Sequence, residues 1–183
     1  TDSLASTAAY LARNGWVRGQ PWGTEVVLPA GFTAVGKGTR TSTRQLAAMG
    51  VRAMNGGSLP AGTGSIIRPA GANGPSFLIL DNFRAILRYN NADSYALGVS
   101  YLAEAIAGRP GVKASWPRSD RPLTQAERVE IQRLLAARGF YRDEIDGKIG
   151  TGTMEAISAF QRSIGTPPDG YATSILLGQL RGR

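Results

Sequence analysis

The segment Ile145-Asp146-Gly147-Lys148-Ile149-Gly150 and the dipeptide Asp169-Gly170 decide how the last third of this chain folds, and their Asp-Gly pairs lie 23 residues apart. Each Asp-Gly pair precedes a short segment with apolar residues at helical spacing, and a third helical segment precedes the first pair. An Asp carboxylate accepts backbone N–H bonds in a turn, and Gly adopts a backbone conformation that other residues resist. The repeat therefore predicts a three-helix module in which the Asp-Gly pairs are structural turns.

The composition limits the chemistry that the chain can perform. Its 183 residues include no cysteine and no histidine, which excludes disulfides, thiolate catalysis and the commonest general base and metal ligand. A run of about 18 apolar residues is absent, so the sequence predicts no transmembrane segment. We expect no metal and no cofactor, and any catalysis would have to use carboxylates, Tyr, Lys or backbone dipoles.

The net charge of +8 is concentrated before residue 123. A basic surface favours polyanions such as nucleic acid, anionic lipid or an acidic wall polymer, although solubility explains the excess equally well. The sequence has no basic helical stripe with interleaved aromatic residues and no nucleic-acid recognition motif. We therefore expect that nucleic acid is not a partner.

Residues 1–107 are predicted to be mainly helical, with a small β-hairpin inserted. Asp81 and Asp93 stand at cap positions before two helices, and the second helix has an apolar face that includes Leu97, Leu102 and Ile106. The remaining predicted elements are a helix over 4–14 ended by Gly15, a strand at 25–29, a short helix after Ser42, and a hairpin of 66–69 with 76–80.

Residues 108–122 contain three prolines and two glycines and show no helical period, so we predict a linker. It separates a first domain, residues 1–107, from a second, residues 123–183. Thr124 and Glu127 have the spacing of a capping box before the first helix of the second domain.

Residues 123–183 resemble the bacterial peptidoglycan-binding domain, a non-catalytic three-helix module that holds wall enzymes on the glycan-peptide mesh. The matching stretches are 131–135, 139–141, 145–150, 156–162 and 168–170. The resemblance implies that glycan strands are the partner. Candidate contact residues, each of which could equally be a solvated surface side chain, are Arg133, Tyr141, Arg142, Lys148, Gln161 and Arg162.

Residues 1–107 resemble the end of the catalytic domain of lytic transglycosylases of the membrane-bound type B family. Three stretches carry the resemblance: 3–16, 27–32, and 82–90 continuing to 95–96. The family implies a lysozyme-like fold and cleavage of the muramic–glucosamine bond that leaves a 1,6-anhydro sugar. It also implies that Tyr89, Asn90 and Tyr95 line the saccharide groove. Read without the resemblance, the same residues would be two core tyrosines and a helix end.

The reaction of that family needs one Glu, which acts first as an acid and then as a base. In the family this Glu lies upstream of the helix at 3–16. The carboxylates in residues 1–107 do not match its context; they are Asp2, Glu25, Asp81, Asp93 and Glu104. The resemblance therefore implies a C-terminal portion that contains no catalytic residue, cleaves nothing alone, and has the N-terminal part of the same enzyme as a partner.

The resemblance also implies the periplasm of a Gram-negative bacterium, and it is compatible with a lipid anchor on the full-length protein. One alternative stays open at this point. The chain would then be a non-catalytic wall-binding protein that targets or regulates other proteins.

Overall fold

The computed structural model describes residues 2–117 and 121–182. These residues divide into two units: unit 1 comprises the residues up to Pro69 together with Gly74–Ser115, and unit 2 comprises Ala70–Asn73 together with the residues from Trp116 onward. The predicted domain limits at 107 and 123 stay predictions, and residues 118–120 of the predicted linker lie outside the described residues.

An antiparallel sheet of five strands forms the centre of unit 1, with the strand order β2-β4-β5-β1-β3. The predicted hairpin is confirmed as its middle pair, in which Ile66 lies opposite Leu78. The sheet is larger than the predicted hairpin because two-residue strands, which leave little trace in a sequence, pair at its edges. The strands are β1 Gly23–Val27, β2 Thr41–Ser42, β3 Arg52–Ala53, β4 Thr63–Ile67 and β5 Ser76–Ile79.

Strand β5 is covered on both faces. Phe77 and Ile79 belong to one apolar cluster, which also contains Trp22 and Phe83, whereas Leu78 belongs to a second cluster. Side chains alternate between the two faces of a strand, so a central strand with a core on each side reads as a continuous apolar run.

Four helices complete unit 1: α1 Asp2–Arg13, α2 Thr43–Ala48, α3 Asp81–Tyr89 and α4 Asp93–Ile106. Ser42 caps α2 as predicted, because its hydroxyl accepts the N–H of Gln45. The prediction that Asp81 and Asp93 are caps was wrong: both lie in the first helical turn, and Leu80 and Ala92 occupy the cap positions without a side-chain bond. The two carboxylates form ion pairs instead, where the positive helix end also favours them.

The predicted apolar face of α4 was only partly right. Leu97 is buried, but Leu102 is 61% exposed and Ile106 is 81% exposed. Helix α4 contacts the core through Ala96, Leu97 and Ser100 instead. None of the described residues in α1 is buried.

Unit 2 contains the predicted three helices, α5 Gln125–Ala137, α6 Thr151–Ser163 and α7 Ser174–Leu180. They enclose one core, whose fully or almost fully buried members are Ile131, Leu135, Ala156, Ile157, Phe160, Leu176, Leu177 and Leu180. The capping box of Thr124 and Glu127 is confirmed. Among the described residues, no helix combines the length and the apolar character needed to cross a membrane.

Candidate functional site

The break between α3 and α4 places two tyrosine rings side by side. Asn90 leaves the helix in an extended conformation, and its Oδ1 accepts the N–H of Ala92 at 3.0 Å. Helix α4 then restarts at Asp93, which brings Tyr95 back towards Tyr89. The two ring centroids are 6.0 Å apart, and the ring planes differ by 24°.

Tyr10 of α1 adds a third ring to this pair. Its centroid lies 5.6 Å from that of Tyr89 in an edge-on arrangement, and its hydroxyl donates to the carbonyl oxygen of Arg88 at 2.9 Å. We call Tyr10, Tyr89 and Tyr95 the tyrosine cluster. Their exposed fractions of 37%, 64% and 38% show that the rings lie at the surface rather than in the core. Asn90 is exposed as well.

No sequence pattern indicated the contact between Tyr10 and Arg88, which are 78 positions apart. The side chain of Asn82 helps to bring Tyr10 close to Arg88 and Tyr89. This side chain is fully buried; its Oδ1 accepts the N–H of Val17, and its Nδ2 donates to the carbonyl oxygens of Val17 and Gln20. These bonds hold the turn after α1 against the start of α3, which fixes the helices that carry Tyr10 and Tyr89.

An ion pair lies two residues before Tyr95. The Nζ atom of Lys37 is 2.9 Å from the Oδ1 atom of Asp93. Arg84 holds the backbone of Lys37 by donating to its carbonyl oxygen at 2.6 Å. Burial lowers the pKa of Arg84, and the positive charge of Arg40 lowers it further.

Three of the other acidic side chains of unit 1 are also engaged in contacts, namely those of Glu25, Asp81 and Glu104. Buried Glu25 accepts the backbone N–H groups of Lys113 and Ala114 at 2.8 and 2.7 Å. Glu104 accepts the indole N–H of Trp22 at 3.0 Å and pairs with Arg109. Asp81 pairs with Arg40, and Asp2 stands in the first turn of α1. Among the described residues, no carboxylate is part of the tyrosine cluster.

A cavity of about 540 Å³ in unit 1 does not include the tyrosine cluster. It is lined by Trp22, Glu25, Tyr101 and Glu104 among others. Burial raises the pKa of Tyr101, and the charges of Glu25 and Glu104 raise it further, so the phenol stays protonated. The described residues hold no group of three or more side chains suited to binding a metal ion.

In unit 2, a buried glutamine fixes the first Asp-Gly turn. The Oε1 atom of Gln132 accepts the N–H of Gly147 at 2.7 Å, and its Nε2 donates to Asp146 at 3.2 Å. The same carboxylate oxygen of Asp146 accepts the N–H of Lys148 at 2.8 Å. This backbone bond is the main reason that the pKa of Asp146 is lowered, and the Gln132 side chain adds to it.

Gln161 repeats this arrangement at the second turn. Its Oε1 accepts the N–H of Gly170 at 2.9 Å, and its Nε2 donates to Asp169 at 2.7 Å. Gly147 and Gly170 have φ values of 73° and 70°, the left-handed region that favours glycine. The prediction that the Asp-Gly pairs are structural is confirmed. Gln132 was not predicted as part of this turn, because a glutamine inside a helix has no turn signature.

The predicted contact residues of unit 2 fall into two groups. Tyr141 is 7% exposed and Gln161 is 8% exposed, and both use their polar atoms inside the module. In contrast, Arg133, Arg142, Lys148 and Arg162 are at the surface. A ligand role for any of them stays a prediction.

Comparison with known families and proteins gives matches along both units. Residues 1–104 match the family described as "Transglycosylase SLT domain", and residues 124–180 match the "Putative peptidoglycan binding domain". The crystal structure of SltB3 from Pseudomonas aeruginosa in complex with NAG-anhNAM-pentapeptide is 48% identical, with a TM-score of 0.94. The match covers 98% of this chain and 50% of SltB3, and the SltB3 complex with NAG-NAM-pentapeptide gives the same values.

Two curated proteins match over shorter stretches. Membrane-bound lytic murein transglycosylase B of Escherichia coli is 33% identical over 115 residues, which are 58% of this chain and 29% of that protein. Fructose-1,6-bisphosphatase class 3 of Lacticaseibacillus paracasei is 29% identical over 96 residues, which are 48% of this chain and 15% of that protein. The chain thus spans at most half the length of these relatives. The SltB3 likeness confirms the fold expected from the resemblance.

Proposed function

The chain belongs to the transglycosylase SLT domain family, and from this we propose that it supplies one wall of the saccharide groove of a peptidoglycan lytic transglycosylase, together with a wall-binding module. The reaction is a non-hydrolytic cleavage of the β-1,4 bond between MurNAc and GlcNAc. The 6-hydroxyl of the muramic sugar attacks its own anomeric carbon, which yields 1,6-anhydroMurNAc.

The tyrosine cluster is the observation that carries this proposal. Tyr89 and Tyr95 expose nearly parallel rings that suit the flat apolar face of a pyranose, and their hydroxyls add hydrogen-bonding capacity. Asn90 adds an amide between them in sequence, which suits an N-acetyl group. Sugar binding by stacking needs exposed rings, and buried tyrosines would have argued against it.

The complexes of SltB3 support the same substrate class. SltB3 was crystallised with NAG-NAM-pentapeptide and with NAG-anhNAM-pentapeptide, and the second of these contains the anhydro sugar. A fold this similar at 48% identity supports a common ligand chemistry. We extend the substrate to this chain as part of the proposal.

We further propose that the proton donor of the reaction is not in this chain. Glu25, Asp81, Asp93 and Glu104 are all held in ion pairs or hydrogen bonds. A general acid must reach the glycosidic oxygen, and we take these contacts as support for a structural role of the four carboxylates instead. The acid then comes from a partner, the N-terminal part of the same enzyme.

Exposed apolar side chains on α1 and α4 support such a partner. Leu4 is 78% exposed, Leu102 61% and Ile106 81%. Leu102 and Ile106 lie four residues apart on α4 and therefore share one face of the helix, which is a candidate contact surface. The partner segment would cover them while it brings the acid to the groove.

Unit 2 would hold the enzyme on peptidoglycan strands. Its exposed cations Arg133, Lys148 and Arg162 are the side chains that we propose for this contact. We also propose the periplasm of a Gram-negative bacterium as the location, and a lipid anchor on the full-length protein is compatible with it. Two of the relatives, SltB3 and the membrane-bound lytic murein transglycosylase B, are bacterial enzymes of the cell envelope, which supports this location.

The substitutions Tyr89→Ala and Tyr95→Ala test the groove wall. Each variant should bind GlcNAc–MurNAc oligosaccharides about tenfold more weakly in calorimetry, because a lost ring contact is worth about 0.5–1.5 kcal/mol beyond its area. Tyr89→Phe and Tyr95→Phe keep the stacking face and should retain most of the affinity. Unchanged binding in both alanine variants would refute the proposal.

A second candidate is a non-catalytic wall-binding protein, which the engaged carboxylates of unit 1 favour. The two functions differ in what an added segment does. If a segment that precedes Thr1 in the gene and carries a Glu at a helix end gives anhydro-muropeptide release, the chain is part of an enzyme. If no such segment exists, targeting is the function. Release by the 183-residue chain alone would show that we have misplaced the acid.

A further inference from the structure

We propose that a cavity of about 170 Å³ in unit 2 binds one uncharged, N-acetylated sugar residue. The cavity lies between residues 70–73, the segment around the second Asp-Gly turn, and helix α7. The inference rests on the proposed function, because it assigns a ligand subsite to the proposed wall-binding module. Its main lining side chains are Asn73, Thr166, Pro167, Tyr171, Ile175 and Gln179.

The size of the cavity limits what it can hold. Sites for drug-sized ligands usually enclose about 300–1,000 Å³, so this cavity suits a single pyranose ring rather than a run of them. A glycan strand would then present one residue to the cavity and pass across the surface on either side.

The charge of the cavity lining selects against anionic ligands. Among the described residues that line it there is no Lys or Arg, and Asp169 is the charged side chain. The Oδ1 atom of Asp169 accepts from Gln161 and from the N–H of Tyr171, and its Oδ2 accepts the N–H of Ala72 at 2.7 Å. Both oxygens are therefore engaged within the module, and the described lining offers no cation to pair with a carboxylate group.

Two side-chain amides give the cavity its hydrogen-bonding capacity. Within the part of the chain that the structure describes, the side chains of Asn73 and Gln179 have no hydrogen-bond partner in the protein, whereas the amides of Gln132 and Gln161 each use both the oxygen and the nitrogen. An amide can donate and accept at once, which matches an acetamido group and sugar hydroxyls. Pro167 and Ile175, which is 52% exposed, provide apolar surface for the carbon face of the ring.

These features distinguish the two sugars that alternate in a peptidoglycan strand. A GlcNAc residue is uncharged and fits the description above. A muramic residue carries a lactyl group and a stem peptide, whose carboxylates find no cation in the described lining. We therefore assign the cavity to GlcNAc.

The experiment uses the full chain in a Tyr89→Ala/Tyr95→Ala background, so that binding at the tyrosine cluster does not mask the cavity. Chitotriose, an uncharged GlcNAc oligomer, is titrated and followed by ¹H–¹⁵N correlation spectra. The side-chain amides of Asn73 and Gln179 and the backbone N–H of Ala72 should shift together. Adding Asn73→Ala and Gln179→Ala should raise the Kd at least about fivefold per amide, the effect of losing a typical hydrogen bond.

Gln125→Ala is the matched control, since Gln125 is an exposed amide on α5 of the same unit, and it should leave the Kd unchanged. If Asn73→Ala prevents folding, Gln179→Ala alone replaces the double variant and should still raise the Kd at least about fivefold. The inference is overturned if chitotriose shifts none of the three groups, or if the Kd is the same in the double variant. It is also overturned if a free stem pentapeptide shifts the same groups more strongly.

Pelleting with insoluble peptidoglycan separates this inference from the proposed function. If the wild-type chain pellets and the Asn73→Ala/Gln179→Ala variant pellets equally, the cavity is not the subsite, but the wall-binding function stands. If the wild-type chain does not pellet at all, both the cavity inference and the proposed wall-binding function are contradicted.

Discussion

Gln132 and Gln161 each complete a turn that lies far along the chain, 14 and 8 residues after them. The sequence predicts the turns because Asp and Gly are turn residues. It does not predict the glutamines, because their partners come near only once the helices have packed. Gln161 was predicted as a ligand contact, and the structure gives it this structural role instead.

Replacing Gln132 by Ala should destabilise unit 2. The N–H of Gly147 would remain buried without an acceptor, which costs about 1–3 kcal/mol. A module of about 60 residues has little stability to spare, so the loss should be visible as an earlier transition in urea unfolding. Gln125→Ala, at an exposed site, should change the free energy of unfolding by less than about 0.5 kcal/mol. Equal transitions for the two variants would contradict this role.

Glu127 makes the stability of unit 2 depend on pH. The Arg121 side chain lowers the pKa of Glu127 to about 2, and the backbone N–H of Thr124 contributes to the shift. The pKa of a Glu in an unfolded chain is about 4.3. Because the folded value is lower, the stabilisation is complete above the unfolded value and is lost as the pH falls towards 2.

When unfolding is measured between pH 6 and pH 2, the free energy of unfolding of unit 2 should therefore begin to fall near pH 5. The Glu127→Gln variant has no titrating group at this position. Its free energy of unfolding should therefore fall less steeply with pH than that of the wild type. Part of the slope should remain, because the pKa values of Glu130 and Asp146 are lowered as well. A variant with the wild-type slope would show that the cap does not titrate in this range.

At the scale of elements, the sequence predicted the helices better than the sheet. Helix α1, the cap of α2 and the three helices of unit 2 follow from spacing and capping residues that are local in the chain. Strands β2 and β3 have two residues each and exist because β4 and β1 offer them partners. The tyrosine cluster likewise combines a local and a long-range contact. Tyr89 and Tyr95 are close in sequence, whereas Tyr10 is distant in sequence and contacts Tyr89 only in the folded chain.

The segment after α4 is held by one buried side chain. Glu25 on β1 binds the N–H groups of both Lys113 and Ala114. Glu25→Gln keeps the shape but has one acceptor oxygen, so one N–H loses its bond. Trypsin should then cleave after Lys113 at least about fivefold faster. The reason is that the lost hydrogen bond lowers the free energy of local opening of this segment by about 1 kcal/mol.

Glu155→Gln is the matched control for this experiment, because Glu155 is exposed on α6. Cleavage of this control at Lys113 should match that of the wild type. If Glu25→Gln also matched the wild type, the contact would not restrain the segment.

At the scale of the whole molecule, the two units should divide binding between them. Deleting residues 123–183 should reduce pelleting with insoluble peptidoglycan by about tenfold or more, since linked sites gain affinity from one another. Oligosaccharide binding at the tyrosine cluster should survive the deletion. Pelleting that is equal before and after deletion would contradict this division.

The hydrogen bonds from the two glycine N–H groups to Gln132 and Gln161 affect the chemical stability of the Asp-Gly pairs. An Asp-Gly sequence degrades when the glycine nitrogen attacks the aspartate side chain and closes a succinimide ring, which reopens largely as isoaspartate. At Gly147 and Gly170 the N–H of this nitrogen donates to a glutamine side-chain oxygen, which restrains the nitrogen. Two dipeptides that look chemically fragile are thereby protected for as long as the helices stay packed.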